Sequence, residues 1–174
     1  MSIHVMIMGV AGCGKTTVGK LLGERSGLEY AEADEFHPPA NIAKMNSGQA
    51  LTDEDRLPWL HRLSEWTGER RRAGVSTVLA CSALKRSYRD ILRVHAPDLR
   101  MVHLSGPADL VRSRMLSRGE HFMPAALLES QLRDLEPLQD DEDGTTLDLT
   151  LAPTDLVQRS LAWLAQQPAD STPS

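Results

Sequence analysis

Gly9-Val10-Ala11-Gly12-Cys13-Gly14-Lys15-Thr16 is the stretch that decides the fold. It fits the spacing G-x-x-x-x-G-K-[S/T], and its flanks give that pattern a structural meaning. Ile3 to Met8, ahead of it, are nearly all apolar, as in a buried parallel strand. Thr17 to Arg25, behind it, carry Val18, Leu21 and Leu22 on one helical face. Strand, glycine loop and helix together make a phosphate-binding loop. The glycines clear side chains away so that backbone N–H groups turn toward phosphate oxygens, and the helix adds its positive N-terminal end. Lys15 brings a full charge to the β- and γ-phosphates of a nucleotide, and the Thr16 hydroxyl is a candidate Mg²⁺ ligand. Gly9, Val10, Ala11, Gly12, Cys13, Gly14, Lys15, Thr16 and Thr17 are therefore expected to hold the nucleotide. Cys13, next to a helix N-terminus, is expected to be a reactive thiol that bound nucleotide protects.

The composition narrows the class. A chain of 174 residues is read as one domain, and with 41% hydrophobic but only 4% aromatic residues its core is expected to be aliphatic. A net charge of -5 argues against non-specific binding to nucleic acid or anionic membrane. No apolar run approaches the roughly 20 residues of a membrane span. The first strand begins at about Ile3, which leaves no room for a signal peptide. Cys13 lies in the loop and Cys81 ends an apolar run, so the pair suggests neither a disulfide framework nor a zinc site. A reducing cytoplasm fits this usage.

Apolar strand-like runs alternate with helical patterns, the signature of a parallel α/β sheet. Strands are expected over Ile3–Met8, Leu28–Ala31, Val75–Cys81, Arg100–Leu104 and Leu147–Leu151. Helices are expected over Thr17–Ser26, Leu57–Arg72, Lys85–His95, Ala108–Ser117, Pro124–Leu135 and Thr154–Gln166. Thr52, Asp53 and Glu54 look like an N-cap and acidic first turn, and Pro58 fits the second of these helices only if it restarts near Leu57. The fold class is thus three-layer α/β, a five-stranded parallel sheet flanked by helices, over residues 1–166, with a lid over about 117–135 and a flexible tail over 167–174. Gln139 to Thr146 reads as an acidic loop; its Asp141-Glu142-Asp143-Gly144 spells D-x-x-G, but off any strand.

Two polar, punctuated segments carry the reactive groups. Asp34-Glu35-Phe36-His37-Pro38-Pro39 follows the second strand, and ligands of open α/β sheets bind beyond the carboxyl ends of strands. Asp34, after a strand expected beside the phosphate loop, is the candidate catalytic carboxylate; it can take a proton from an attacking hydroxyl or hold a metal-bound water. The structural alternative for it is a turn or cap aspartate. Glu32 can assist a metal site, with a plain surface carboxylate as the alternative, and His37 can hydrogen-bond a polyol, with a loop histidine packed by two prolines as the alternative. Lys85 and Arg89, spaced i, i+4, are expected to present one cationic face to an anionic substrate, with Arg56 of similar profile; a solvated face paired with Asp90 is the alternative. The second segment runs from Arg112 to Met123. Arg114 and Arg118 at a lid suit the adenine ring and the charge of a transferring phosphoryl, respectively, and His121 is a further donor. Pro153, just ahead of the last helix, is a candidate nucleotide contact. Trp59 and Trp66 read as core or subunit interface.

At these residues the chain resembles the small bacterial gluconokinases, kinases of the phosphate-loop type related to shikimate and nucleoside monophosphate kinases. The likeness runs through Gly9–Thr16, Asp34–Pro38, Asn41–Met45 and Ser47-Gly48. It continues through Leu51–Arg56, Pro58–Leu60, Cys81–Lys85, Tyr88–Asp90, His121–Met123, Ser130-Gln131 and Leu135-Glu136. Cys81–Lys85 and the Asp34–His37 loop are its most specific parts. The family pattern usually has glycine before the aspartate, where Ala33 stands here; that bears on the tightness of the turn. The resemblance implies a P-loop kinase fold, ATP with Mg²⁺, phosphorylation of D-gluconate to 6-phospho-D-gluconate, and commonly a homodimer. It implies Asp34, Lys15 and Arg118 as catalytic residues, and Asp34, His37, Arg56, Lys85, Arg89 and His121 around the substrate.

Two other readings stand beside it. One is a kinase of another small hydroxy acid such as shikimate; against it, the third strand ends in Cys81-Ser82-Ala83 rather than a glycine triplet. The other is a nucleotide-binding switch, but no Asn-Lys-x-Asp segment is present to select guanine.

Overall fold

The computed structural model describes residues 2–117 and 125–167. Five parallel strands form one sheet: β1 (His4–Met8), β2 (Glu29–Glu32), β3 (Thr77–Ala80), β4 (Arg100–Ser105) and β5 (Gly144–Asp148), in the order β2-β3-β1-β4-β5. Among the described residues seven α-helices surround it: α1 (Lys15–Ser26), α2 (Pro39–Asn46), α3 (Asp53–Arg72), α4 (Arg86–Leu92), α5 (Ala108–Ser117), α6 (Ala125–Asp134) and α7 (Pro153–Gln166). The three-layer α/β expectation holds. The core is aliphatic as expected: Met6, Ile7, Leu22, Leu60, Leu79 and Met101 are all fully buried.

Where the elements differ from the sequence reading, the reasons are local. The second strand was expected beside the phosphate loop, yet β3 lies between β2 and β1. Asp34 therefore reaches the loop from one strand further out, in a 3₁₀ turn over Ala33–Phe36. Ala33 stands there without a positive φ, so the turn does not need a glycine at that position. Helix α2 was hidden behind Pro38-Pro39, which reads as a breaker. Pro39 is in fact its first residue, where a missing N–H costs nothing.

Helix α3 begins at Asp53 behind a Thr52–Asp55 capping box, so the reading of Thr52 as N-cap and Asp53 and Glu54 as an acidic first turn holds. What differs is that the helix runs through Pro58 without restarting at Leu57. Pro58 leaves only the Glu54 carbonyl without its helical donor, and Glu54 is exposed to water. Strand β5 sits earlier than the apolar run that marked it. Register pairs Met101 with Gly144, and a side chain on that glycine would strike the Met101 carbonyl oxygen at 2.8 Å. Leu149, buried, belongs to the following turn. The lid expected over about 117–135 includes residues 118–124, which lie outside the described residues, as does most of the expected tail.

Candidate active site

The phosphate loop joins β1 to α1. Gly14 caps the helix at φ 100°, a left-handed conformation that a residue with a side chain adopts only with strain. Gly9 is needed for closeness: a methyl on it would meet Cys13 Sγ at 2.7 Å and the Leu104 carbonyl at 2.8 Å. That same packing turns Cys13 inward to 1% exposure, so the expectation of a reactive thiol is not met: the loop presents backbone, not sulfur, to the cavity. Lys15 donates from Nζ to the Val10 carbonyl at 3.0 Å, curled over the loop where phosphate oxygens would replace that carbonyl. Thr16 donates from Oγ1 to Glu32 Oε2 at 2.8 Å, and the Tyr30 hydroxyl donates to the same oxygen.

Past the loop opens a cavity of about 910 Å³, bordered by Lys15, Thr16, Glu32, Asp34, His37 and Arg56 among others. The structure thus gathers, along one cleft, residues that are 41 positions apart in the chain. Asp34 is exposed on its wall. Thr16, Glu32 and Asp34 offer only hard oxygen donors next to the helix N-terminus, the donor type Mg²⁺ takes alongside nucleotide phosphates. Among the described residues no group of three or more His, Cys, Asp or Glu forms a metal site by itself.

The far end of the cavity is built on α3 and α4. His37 is buried and stacks on Trp59, centroids 4.2 Å apart and planes at 15°. Trp59 was read as core or interface; it is core, and it is also the floor under this imidazole, held by its Nε1 donating to the Ala33 carbonyl at 2.7 Å. Burial, with help from Arg56, pushes the His37 pKa down to about 4. The neutral ring receives the Asn41 amide N–H at Nδ1, 3.2 Å away, which assigns its hydrogen to Nε2 as a donor.

Arg56 is 9% exposed, and among the described residues its guanidinium makes no ion pair. Its Nη1 donates to the Tyr88 hydroxyl at 2.7 Å, and its charge lies 5.3 Å from that ring's centroid. Tyr88 in turn donates to Asp53, which also receives Lys85 at 3.1 Å. The Tyr88 and Lys85 hydrogen bonds hold the Asp53 carboxyl below the usual range.

The expected pairing of Lys85 with Arg89 is not realised. Lys85 precedes α4, bonded to Asp53, and does not border the cavity. Arg89 is fully buried on the opposite side, gripping Glu142 at 2.8 and 3.0 Å and the carbonyls of Ala83, Leu84, Glu136 and Pro137. It is a structural clamp, not a substrate ligand. The acidic loop over Gln139 to Thr146 supplies its partner. Asp90, offered as the mate of these cations, pairs instead with Arg86 and Arg93. Arg114 donates to the Leu149 carbonyl at 3.1 Å, on the turn that leads to Pro153; neither Arg114 nor Pro153 borders the cavity. Arg118 and His121 lie outside the described residues.

Residues 5–138 match the family described as AAA domain. A gluconokinase of Gluconobacter oxydans is 49% identical over 138 residues, 79% of this chain and 78% of its own. The chain belongs to the gluconokinase family. Solved structures agree in shape: a gluconokinase from Sinorhizobium meliloti superposes with a TM-score of 0.85 at 41% identity, covering 94% of this chain and 92% of its own. A sugar kinase from a Janibacter species reaches 0.92 at 53%, covering 95% of each. The sequence reading gave Tyr30, Tyr88 and Trp59 no part in the site, yet all three border the cavity. Each was visible as an aromatic residue near a motif, but only the fold shows what its polar atom touches.

Proposed function

We propose that this chain transfers the γ-phosphoryl group of ATP to the terminal hydroxyl of D-gluconate, giving 6-phospho-D-gluconate and ADP. The observation that carries the acceptor's charge is Arg56. A guanidinium nine-tenths buried without a carboxylate is costly unless an anion fills the place, and a sugar acid's carboxylate is such an anion. The His37 Nε2–H is a donor for the chain of hydroxyls.

At the other end Asp34 accepts the proton that leaves the attacking hydroxyl as the bond to phosphorus forms. Lys15 and the loop amides hold the β- and γ-phosphates and take up charge as the γ-phosphoryl moves. Thr16 and Glu32 would hold Mg²⁺, which neutralises phosphate charge. The nucleotide base is assigned to Arg114 and Pro153, which lie outside the cavity, and Arg118 to the transferring phosphoryl. A single catalytic domain over residues 1–166, a homodimer and a cytoplasmic setting complete the reading, on family resemblance; no described helix is long and apolar enough to cross a membrane.

The test is an ADP-release assay over gluconate, other sugar acids, shikimate, glucose and nucleoside monophosphates. Release that requires gluconate, with glucose inert, is the expected result. Release that ignores the acceptor, or that glucose supports as well as gluconate does, refutes the reading.

A further inference from the structure

Helices α5 and α6 touch the phosphate loop at two adjacent residues. From α6, Gln131 accepts a hydrogen bond at Oε1 from the Ala11 amide, 2.8 Å away. From α5, Met115 lies against Gly12, where an added methyl would meet its Sδ at 2.8 Å. All four residues border the cavity. Because the partner is a main-chain N–H, the bond itself assigns the carboxamide oxygen rather than its nitrogen to the loop. Ala11 lies ahead of the Gly14 cap, so this contact takes no donor from the first turn of α1.

The chain just beyond the C-terminal end of α6, five residues after Gln131, is pinned to the acceptor side. Glu136 donates from its amide to the Leu84 carbonyl at 2.7 Å, and its Oε1 accepts the Arg86 amide at 2.9 Å. Arg89 binds the Glu136 carbonyl at 3.0 Å. Leu84 and Ala83 in turn wall the cavity, with Ala83 held at φ 43°. The last turn of α6 and the residues just after it therefore touch both halves of the cleft, tied to the nucleotide loop at Gln131 and to the acceptor wall at Glu136.

We propose that Gln131 is a positioning residue for phosphoryl transfer: its carboxamide fixes α6 on the phosphate loop and so sets the spacing between nucleotide and acceptor. The proposal rests on the kinase reading above. Phosphoryl transfer depends on placement more than on covalent chemistry, so losing the tie acts on turnover while leaving the acceptor pocket intact.

Gln131→Met keeps the length and helix preference and removes the acceptor atom; Gln131→Ala, run in parallel, removes the side chain without adding bulk. In both, exchange of the Ala11 amide in the ligand-free protein is expected to accelerate. Turnover is expected to fall about tenfold and ADP binding by calorimetry to weaken, while KM for gluconate holds. Turnover within twofold of wild type in either folded variant, or tighter ADP binding, overturns the proposal; tighter binding would make the contact a competitor of phosphate. Lys15→Ala serves as the control. If it too retains turnover, the phosphate-loop reading has failed; if it is inactive while the Gln131 variants are not, only this proposal falls.

Discussion

Replacing His103 by Leu is expected to stabilise the protein, and to do so more in acid than at neutrality. His103 stands in β4 at 2% exposure, and neither ring nitrogen finds a hydrogen-bond partner. Burial, and then the Arg89 guanidinium, push its pKa from 6.5 down to about 4. The unfolded chain thus binds a proton that the folded one refuses, so stability is full above the unfolded value and is lost as pH falls from there toward the folded one. Between pH 7 and pH 5 a histidine with these two values forfeits about 2 kcal/mol. Leucine removes that titration, and it also removes two buried polar atoms that have no partner, which favours the variant at every pH.

In a chain of this size 1 kcal/mol moves Tm by about 2–4 °C, so the variant's lead is expected to widen by about 4–8 °C from pH 7 to pH 5. His37, depressed to about 4 by the same cause, titrates in both proteins and cancels. Thermal and urea unfolding of both proteins at the two pH values give the measurement. An equal lead at pH 5 and pH 7 would refute the reasoning, because it would mean that His103 is protonated in the fold or not buried there.

Three further outcomes are expected. Asp34→Asn keeps size and removes charge; turnover is expected to fall by roughly 10² or more while ADP affinity, measured by calorimetry, changes little, and turnover within a few-fold of wild type would make Asp34 structural. Arg56→Met is expected to raise KM for gluconate by about 10² while KM for ATP holds, the scale of losing one buried charge-assisted pair; an unchanged KM for gluconate would move the carboxylate elsewhere. Iodoacetamide is expected to leave both cysteines of the folded protein untouched and to label them only at the rate of unfolding, since Cys13 and Cys81 are each 1% exposed and burial pushes the Cys81 thiol up to about 12. Rapid inhibition that ATP slows would restore the reactive Cys13.

The sequence by itself determined the phosphate loop, the alternating α/β pattern, the aliphatic core and the family. These are legible because each depends on neighbours in the chain: backbone amides are aimed by glycines a few positions apart, and a buried parallel strand writes itself as an unbroken apolar run. Tertiary structure decided which charges do what. Lys85, Arg89 and Arg56 look alike in sequence, yet Glu142 arrives from the far side of the chain to neutralise Arg89, and Asp53 takes Lys85. Arg56 alone of these three keeps an unpaired charge at the cavity. Strand order, which set β3 between Asp34's strand and the loop, is likewise invisible locally, because any of several pairings satisfies the same apolar runs. The fate of a buried charge is settled by the partner that folding brings to it, and that partner has no fixed spacing in the chain.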